Sequence, residues 1–427
     1  MRSSFKTLAS HIPRQESFIV ASKRTPFGAY GGKLKDLKAS ELGGLAGKAA
    51  LAELPSGVEV DQVFFGNVSQ SDNSTPYLAR HVGHLSGLGP TVPALTLNRL
   101  CGSGFQTVIT AAQTISLGEA NVCLTGGTES MSGSPYTLSG ASRFGNRYGL
   151  DLKLEDSLAA ALVDQNPGGE KTPMGITAEN LAKKYGISRD ECDGQQHKCL
   201  HQRGTDAPTA FALMSQQRYA SGLAAGAFTS ELITVSLKPV KGKPQSLSVD
   251  EHPRPQSTLQ SLSSLSSVFI PKTGVVTAGN ASGICDGAAA NVVMSEESLK
   301  QYGVTPLVRI AGYAWSACEP SIMGIGPVVS IQEALKKVGK TINDMDIIEV
   351  NEAFAAQWLA VQRELELPLE KTNMFGGAIA VGHPLAASGA RILANLTHNL
   401  HRLDKKWALG AACIGGGQGI AVVLERC

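Results

Sequence analysis

The stretch NRLCGSG (residues 98–104) stands at a turn from a strand into a helix. It follows a short apolar run at 95–97, and after it apolar residues recur at helical spacing: Val108, Ala111, Ala112 and Ile115. A further apolar run at 122–125 leads into Gly126-Gly127. Earlier in the chain, residues 18–21 form an apolar run, and residues 40–54 have the helical period with Ser40 as a plausible N-cap. The alternation predicts an α/β fold with a mostly parallel sheet.

The C-terminal part of the chain repeats this plan. An apolar run at 345–350 ends at Asn351, as the run at 63–66 ends at Asn67, and GHP (residues 382–384) opens a helix as the segment around Cys101 does. A strand at 408–412 then leads into three glycines at 415–417. The spacings agree, with 34 residues from Asn67 to Cys101 and 32 from Asn351 to His383. We therefore expect a duplicated fold with one site between the two copies.

Composition excludes several classes of protein. The 427 residues include 38 Lys and Arg against 36 Asp and Glu, and this near-neutral balance argues against a nonspecific nucleic-acid binder. Eight cysteines in a chain of this length do not make a disulfide scaffold, and no CxxC pair indicates a metal site. The uncharged stretch at 407–424 contains five glycines, so we interpret it as two strands around a glycine turn and expect no membrane insertion.

Four segments rich in or flanked by glycine together supply the groups needed for acyl transfer: residues 98–104, 351–354, 376–384 and 413–419. Singly, each cysteine or His-Pro pair is more often a core residue or a turn. Cys101 is the best candidate nucleophile, because the amides at the start of a helix lower the pKa of a thiol. His383 can take its proton, and Cys413 can act as a second proton carrier. The backbone amides near Cys101 and Gly415 are candidates for an oxyanion hole.

The complete set of motifs resembles the thiolase family over nearly the whole chain, from about Phe18. The segments that carry the resemblance, in chain order, are KRTPFG (23–28), NRLCGSG (98–104), GGTESMS (126–132), TAGNASG (277–283), NEAF (351–354), GGAIAVGHP (376–384) and CIGGGQG (413–419). Such an ordered set is highly specific. The resemblance is strongest to the mitochondrial members that act on 3-ketoacyl-CoA in fatty-acid β-oxidation. It implies a five-layered α-β-α-β-α architecture and a homodimer or homotetramer.

The resemblance also implies roles for individual residues. Cys101 would attack the 3-keto carbon, His383 would activate it, and Cys413 would protonate the acetyl-CoA enolate and then deprotonate the incoming CoA. One oxyanion hole would use His383 and a water held by Asn351, and the other would use the amides of Cys101 and Gly415. Residues expected to contact CoA, which is a substrate here, are Arg254, Ser257, Ser282 and Met174. No metal or redox cofactor is implied.

The expected organisation divides the chain into four parts. Residues 1–17 form an N-terminal extension or targeting segment, and residues 18–130 form the N-terminal thiolase domain, completed by about 275–305. Residues 131–274 form an inserted lobe that covers the CoA site, and residues 306–427 form the C-terminal thiolase domain. Acyl-CoA and CoA are the expected partners, without nucleic acid. The mitochondrial matrix is the expected location, with the cytoplasm as the alternative.

Three departures from the family pattern bear on activity. An insert at 194–210 interrupts a helix of the lobe, Phe375 replaces a small or polar residue, and Ala386-Ala387 replaces a glycine-rich pair. If the positions of Phe375 and Ala386-Ala387 need glycine dihedrals, the loop near His383 would be strained and activity reduced. Two alternatives to a degradative enzyme stay open: an acetoacetyl-CoA-forming acetyltransferase and a thiolase-fold subunit with impaired turnover. Pro173, which precedes Met174 where short-chain enzymes usually carry His, favours the degradative class.

Overall fold

A computed structural model describes residues 15–148, 151–165, 171–194 and 211–427. Most of the predicted targeting segment (residues 1–14) and nearly all of the insert (195–210) lie outside the described residues. The strands are β1 Ser17–Arg24, β2 Gly28–Ala29, β3 Gln62–Gly66, β4 Ala94–Leu97, β5 Val122–Ser130, β6 Tyr136–Leu138, β7 Leu154–Asp156, β8 Val235–Val240, β9 Lys243–Leu247, β10 Cys285–Ser295, β11 Val308–Ala317, β12 Ile347–Val350, β13 Trp407–Ile414 and β14 Gln418–Arg426.

The helices lie between these strands and, in the middle of the chain, in the lobe. They are α1 Ala39–Leu51, α2 Leu78–Leu85, α3 Ser103–Ser116, α4 Ser157–Ala161, α5 Met174–Tyr185, α6 Arg189–Asp193, α7 Phe211–Ala224, α8 Leu259–Ser263, α9 Glu296–Tyr302, α10 Pro327–Lys337, α11 Ala355–Leu365, α12 Ala378–Val381 and α13 Leu385–Arg402. Within the described parts of the chain, no helix is long and apolar enough to cross a membrane.

The sheet topology shows the duplication directly. In the N-terminal half the strand order is β1-β10-β5-β3-β4, and in the C-terminal half it is β11-β14-β13-β12. In both halves the second strand pairs antiparallel with both neighbours, and the third and fourth strands pair parallel. A two-residue pairing of β1 with β11 joins the halves into one sheet path.

The expected mostly parallel sheet is therefore wrong. Parallel pairs occur at the ends of the path, among β3, β4 and β5 and between β12 and β13, whereas the centre is antiparallel. The reason is that β10, which follows the lobe in sequence, inserts between β1 and β5 with reversed direction. A local pattern of strands and helices does not reveal such a long-range return of the chain.

Three apolar clusters define five layers. Helices α1 and α2 cover the outer side of the N-terminal strands, and α10 and α11 cover that of the C-terminal strands. Between the two sets of strands lie α3 and α13, whose buried residues include Phe105, Ile109, Ile392 and Leu396. A Cβ built on Gly127 would lie 1.8 Å from the Ala386 carbonyl oxygen, so glycine there lets β5 approach α13 closely. The α/β architecture of five layers follows from this packing.

Two local expectations are also corrected. Ser40 lies inside α1; the N-cap is Lys38, whose backbone N–H donates to the Glu41 carboxylate at 2.8 Å. The strain considered for Phe375 and Ala386-Ala387 does not arise, because none of these residues has a positive φ and the alanines lie in the first turn of α13. The Phe375 ring packs against α7. The Arg402 guanidinium lies over this ring, with its Cζ 4.8 Å from the ring centroid.

Candidate active site

The predicted reactive groups lie at the ends of elements that meet around the central helices. Cys101 lies two residues before the first residue of α3, and His383 lies two residues before the first residue of α13. Cys413 is near the end of β13, and Asn351 follows β12. Thus the N-terminal half contributes one of these four candidate groups and the C-terminal half contributes three.

Cys101 lies in a partly buried pocket between the two halves. Its side chain packs against a cluster that includes Val68, Met131 and Leu385. The backbone N–H groups of Gly415 and of Cys101 itself favour the thiolate and act to lower the pKa of this thiol. Burial nevertheless raises the pKa of the Cys101 thiol to about 11, so the expected lowering at the helix start is wrong. The two amides lower the pKa, but their effect is smaller than the increase caused by the loss of hydration.

His383 is a buried neutral imidazole. Its Nδ1 is 2.6 Å from Ser388 Oγ, one turn into α13, and both of its ring nitrogens are 3.5 Å from Asn351 Nδ2. Burial, with a smaller effect from the Arg391 guanidinium, lowers the pKa of His383 to about 4. When Nδ1 donates its proton to Ser388, Nε2 keeps a free lone pair. The ring is therefore a proton acceptor at neutral pH.

Cys413 is the second thiol of the site and is 1% exposed. Burial raises its pKa well above the ordinary value, and the neighbouring Cys101 sulfur raises it further. It packs in a small cluster with Ala353, Met323 and Met174. The resting thiol therefore carries a proton that it can give to a substrate carbon.

Asn351 and the adjacent Glu352 organise the floor of the site. The Asn351 N–H donates to the Ala411 carbonyl at 2.9 Å, and among the described residues its buried Oδ1 has no hydrogen-bond partner. That oxygen is free to accept a hydrogen bond from a water molecule. The Glu352 carboxylate accepts hydrogen bonds from Ser215 of α7 at 2.6 Å and from the Ile379 N–H of α12 at 3.1 Å. This links the lobe to the turn before His383.

Glu129, which the sequence analysis assigned no role, holds two sides of the Cys101 pocket. Its fully buried carboxylate accepts hydrogen bonds from the Val68 N–H, at 3.2 and 3.3 Å, and from the Ala386 N–H at 3.1 Å. Val68 and Leu385, the neighbour of Ala386, both contact the Cys101 cluster. The only signal in the sequence was its position in the GGTESMS motif. Burial raises the pKa of Glu129 to about 7.

The four residues expected to contact CoA lie at different distances from the protein surface, between the exposed Arg254 and the reactive groups. Arg254 is exposed, and the Ser257 N–H donates to its carbonyl at 3.0 Å in a tight turn. The Ser282 N–H donates to the Ala353 carbonyl at 3.0 Å, which places Ser282 beside the Asn351 loop. Met174 begins α5, and a Cβ built on Gly415 would lie 3.1 Å from its Cε. Met174 and Ser282 thus adjoin the reactive groups, and Arg254 lies at the surface.

The arrangement provides a nucleophile, a base, an acid and backbone donors in one place, which suits acyl transfer through a thioester. Within the described residues, no group of three or more His, Cys, Asp or Glu side chains is arranged to hold a metal ion.

Comparisons with known proteins agree on the family. Residues 17–297 match the model of the thiolase N-terminal domain, and residues 304–426 match that of the thiolase C-terminal domain. The chain is 54% identical over 409 residues to mitochondrial 3-ketoacyl-CoA thiolase of Homo sapiens, spanning 96% of this chain and 98% of that protein. It is 44% identical over 415 residues to acetyl-CoA acetyltransferase of Escherichia coli, spanning 96% of this chain and 98% of that protein. The crystal structure of human mitochondrial 3-ketoacyl-CoA thiolase in complex with CoA matches with a TM-score of 0.89 and 52% identity, covering 97% of this chain and 98% of that chain.

Proposed function

The chain belongs to the thiolase family, and from this premise we propose that it is a 3-ketoacyl-CoA thiolase. It uses CoA to cleave a 3-ketoacyl-CoA into acetyl-CoA and an acyl-CoA shortened by two carbons, as the last step of a β-oxidation cycle. The observation that carries the proposal is that the segments of the two thiols pack together: a Cβ built on Gly102, next to Cys101, would lie 2.4 Å from Ile414 Cδ1, next to Cys413, and the Cys101 sulfur is near enough to raise the pKa of Cys413. The identity of 54% to a 3-ketoacyl-CoA thiolase, against 44% to an acetyl-CoA acetyltransferase, supports the degradative direction.

The first half-reaction transfers the acyl group to Cys101. Its sulfur bonds to the 3-keto carbon while its proton passes to His383 Nε2, because neither the thiolate nor the imidazolium is stable at rest in this buried site. The C2–C3 bond then breaks, and the electron pair goes to C2 as the enolate of acetyl-CoA. Cys413 gives its proton to that carbon. Acetyl-CoA leaves, with the acyl group as a thioester on Cys101 and Cys413 as a thiolate.

The second half-reaction returns the acyl group to CoA. The Cys413 thiolate takes the proton from the thiol of an incoming CoA, whose sulfur attacks the thioester carbon. The bond to Cys101 breaks, and the Cys101 sulfur recovers its proton from His383. Oxyanions form in both steps: the amides of Cys101 and Gly415 stabilise one, and His383 with a water on Asn351 stabilises the other.

We assign CoA binding to the lobe and its border. The Arg254 guanidinium suits the phosphates of the nucleotide at the surface, and Ser257 lies in the same turn. Ser282 and Met174 line the path toward Cys413. Residues 131–274 form the lobe that covers this path, between the N-terminal domain (18–130 with about 275–305) and the C-terminal domain (306–427).

The relatives support a proposal for location and assembly. The 3-ketoacyl-CoA thiolases that the chain resembles are mitochondrial proteins, so we propose the mitochondrial matrix as its location, with residues 1–17 as an N-terminal extension or targeting segment. We propose a homodimer or homotetramer, which size-exclusion chromatography with light scattering will test.

The test of the proposed function is the mass of the intact protein after incubation with acetyl-CoA. We expect one acetyl group on Cys101 in the wild type, none in Cys101→Ser, and an undiminished adduct in Cys123→Ser, a buried cysteine of β5 away from the site. A folded wild type without the adduct would support the inactive subunit. Thiolysis of acetoacetyl-CoA about tenfold faster than of a medium-chain 3-ketoacyl-CoA would support the acetyltransferase.

A further inference from the structure

The segment DEHPR (residues 250–254), which ends at Arg254, is held by unusually many contacts. The buried Asp250 carboxylate accepts hydrogen bonds from the Arg24 guanidinium at 2.6 and 3.0 Å. The Glu251 carboxylate accepts the Ala29 N–H at 3.1 Å, and the Arg254 N–H donates to Gln216 Oε1 at 2.8 Å. We call this segment the 250–254 loop. Its backbone is therefore fixed to β1, to β2 and to α7.

His252 is the residue of this loop that points toward the catalytic histidine. Its Nδ1 is 2.9 Å from the carbonyl oxygen of Ala380 in α12. Because a carbonyl can only accept, Nδ1 carries the proton. The imidazole also lies directly on Gly283: a Cβ built there would be 2.0 Å from His252 Nε2, so the contact requires glycine.

Both groups that His252 contacts position His383. Gly283 accepts the His383 N–H through its carbonyl at 2.9 Å. Ala380 lies three residues before His383, in the short helix α12 that ends at Val381. The imidazole thus lies between the loop that carries Arg254 and the two segments that set the backbone of the base.

We propose that His252 is a positioning residue that couples the 250–254 loop to His383. This inference rests on the proposed function, in which Arg254 binds the nucleotide end of CoA and His383 is the base. A shift of the loop moves the imidazole, and through Ala380 and Gly283 it moves the backbone of His383. His252 therefore keeps the base aligned, and it does so whether or not the nucleotide is present.

A truncated substrate separates this role from CoA binding. The thioester of acetoacetate with N-acetylcysteamine lacks the nucleotide, and N-acetylcysteamine replaces CoA as the thiol that takes the acyl group from Cys101, so neither half-reaction uses Arg254. We expect His252→Phe, which keeps a ring but loses the N–H donor, to lower kcat/KM for this thioester about tenfold, since small misplacements of a base have effects of this size. His252→Asn retains an N–H donor, and we expect it to recover most of that loss.

The matched control is His398→Phe. His398 is a second largely buried histidine whose ring nitrogen lies 2.8 Å from a backbone carbonyl, that of Ser22, far from the proposed site. We expect its turnover of the truncated thioester to equal that of the wild type. Thermal unfolding of all variants monitors folding, and His252→Leu, which also lacks the N–H donor, replaces His252→Phe if that variant is unstable.

Three results would overturn the inference, and they are distinguishable. If His252→Phe affects only reactions with full-length CoA and turns over the truncated thioester normally, His252 serves CoA docking alone and the coupling is wrong. If the wild type itself neither cleaves acetoacetyl-CoA nor acylates Cys101, the proposed function fails, and the inference fails with it. An equal loss in His252→Asn and His252→Phe would also contradict the role of the N–H donor.

Discussion

Substitution of Ser388 by alanine tests the geometry of the base most directly. The Ser388 hydroxyl is 2.6 Å from His383 Nδ1, and both side chains are buried. Asn351 Nδ2, at 3.5 Å, is too distant to replace this hydrogen bond. A hydrogen bond to a group that becomes charged is worth about 1.5–3 kcal/mol. The imidazole becomes charged when it takes the Cys101 proton, so the loss falls on the transition state.

We therefore expect Ser388→Ala to lower kcat about 10- to 150-fold while KM for CoA changes little. The assay combines steady-state thiolysis of a 3-ketoacyl-CoA with rapid-quench mass measurement of acylated Cys101, which isolates the first half-reaction. Ser330→Ala is the matched control, because it removes another buried serine hydroxyl, on α10, whose Oγ is 3.1 Å from the Pro327 carbonyl oxygen. A Ser388→Ala enzyme that acylates within twofold of the wild-type rate would refute the reasoning.

The remaining predictions concern the packing at Gly127, the pH dependence of stability through His383, and the role of Phe375. Gly127→Ala presses a Cβ onto the Ala386 carbonyl and should lower the free energy of unfolding by about 1–3 kcal/mol in denaturant titrations; Gly140→Ala, with open space, should not. Because burial lowers the pKa of His383 to about 4, the unfolded chain binds more protons there between pH 4 and 6.5. Stability should therefore fall as pH falls through that window, by about 3 kcal/mol in total, and His383→Gln should show a correspondingly shallower decline. Phe375→Asn should leave thiolysis within about twofold of wild type, because the ring packs against α7 and the Arg402 guanidinium and its backbone has no positive φ; a large gain would restore the expectation that Phe375 impairs activity.

Local sequence predicted the candidate reactive residues, which the structure brings together, and the duplication, which the order of the strands shows. Asn351 follows an apolar strand, and Cys413 lies near the end of another. Cys101 and His383 lie just before helices, with glycines nearby, and such positions place a side chain at the edge of a sheet. The glycines are themselves informative, since Gly127 permits the close approach of β5 to α13. The periodicity that predicted α3 and α13 reflects their burial between two sets of strands.

Sequence could not indicate the direction of β10, because its pairing with β1 joins residues more than 250 positions apart. It also gave the wrong direction for the pKa of Cys101. Helix-start amides are visible in a motif, whereas the amount of apolar protein that surrounds a thiol depends on Val68, Met131 and Leu385, which come from distant parts of the chain.

What the sequence by itself determined is the chemical inventory and the order of the elements, because both depend on residue type and short-range spacing. Only the tertiary structure decided the pKa values of these reactive groups and the contacts that support them. Examples are the hydrogen bond between Ser388 and His383, the Glu129 carboxylate that holds the Cys101 pocket, and the contact of His252 with the Ala380 carbonyl. The physical reason is that desolvation and hydrogen-bond geometry are properties of packed neighbours, and most of these neighbours are remote in sequence.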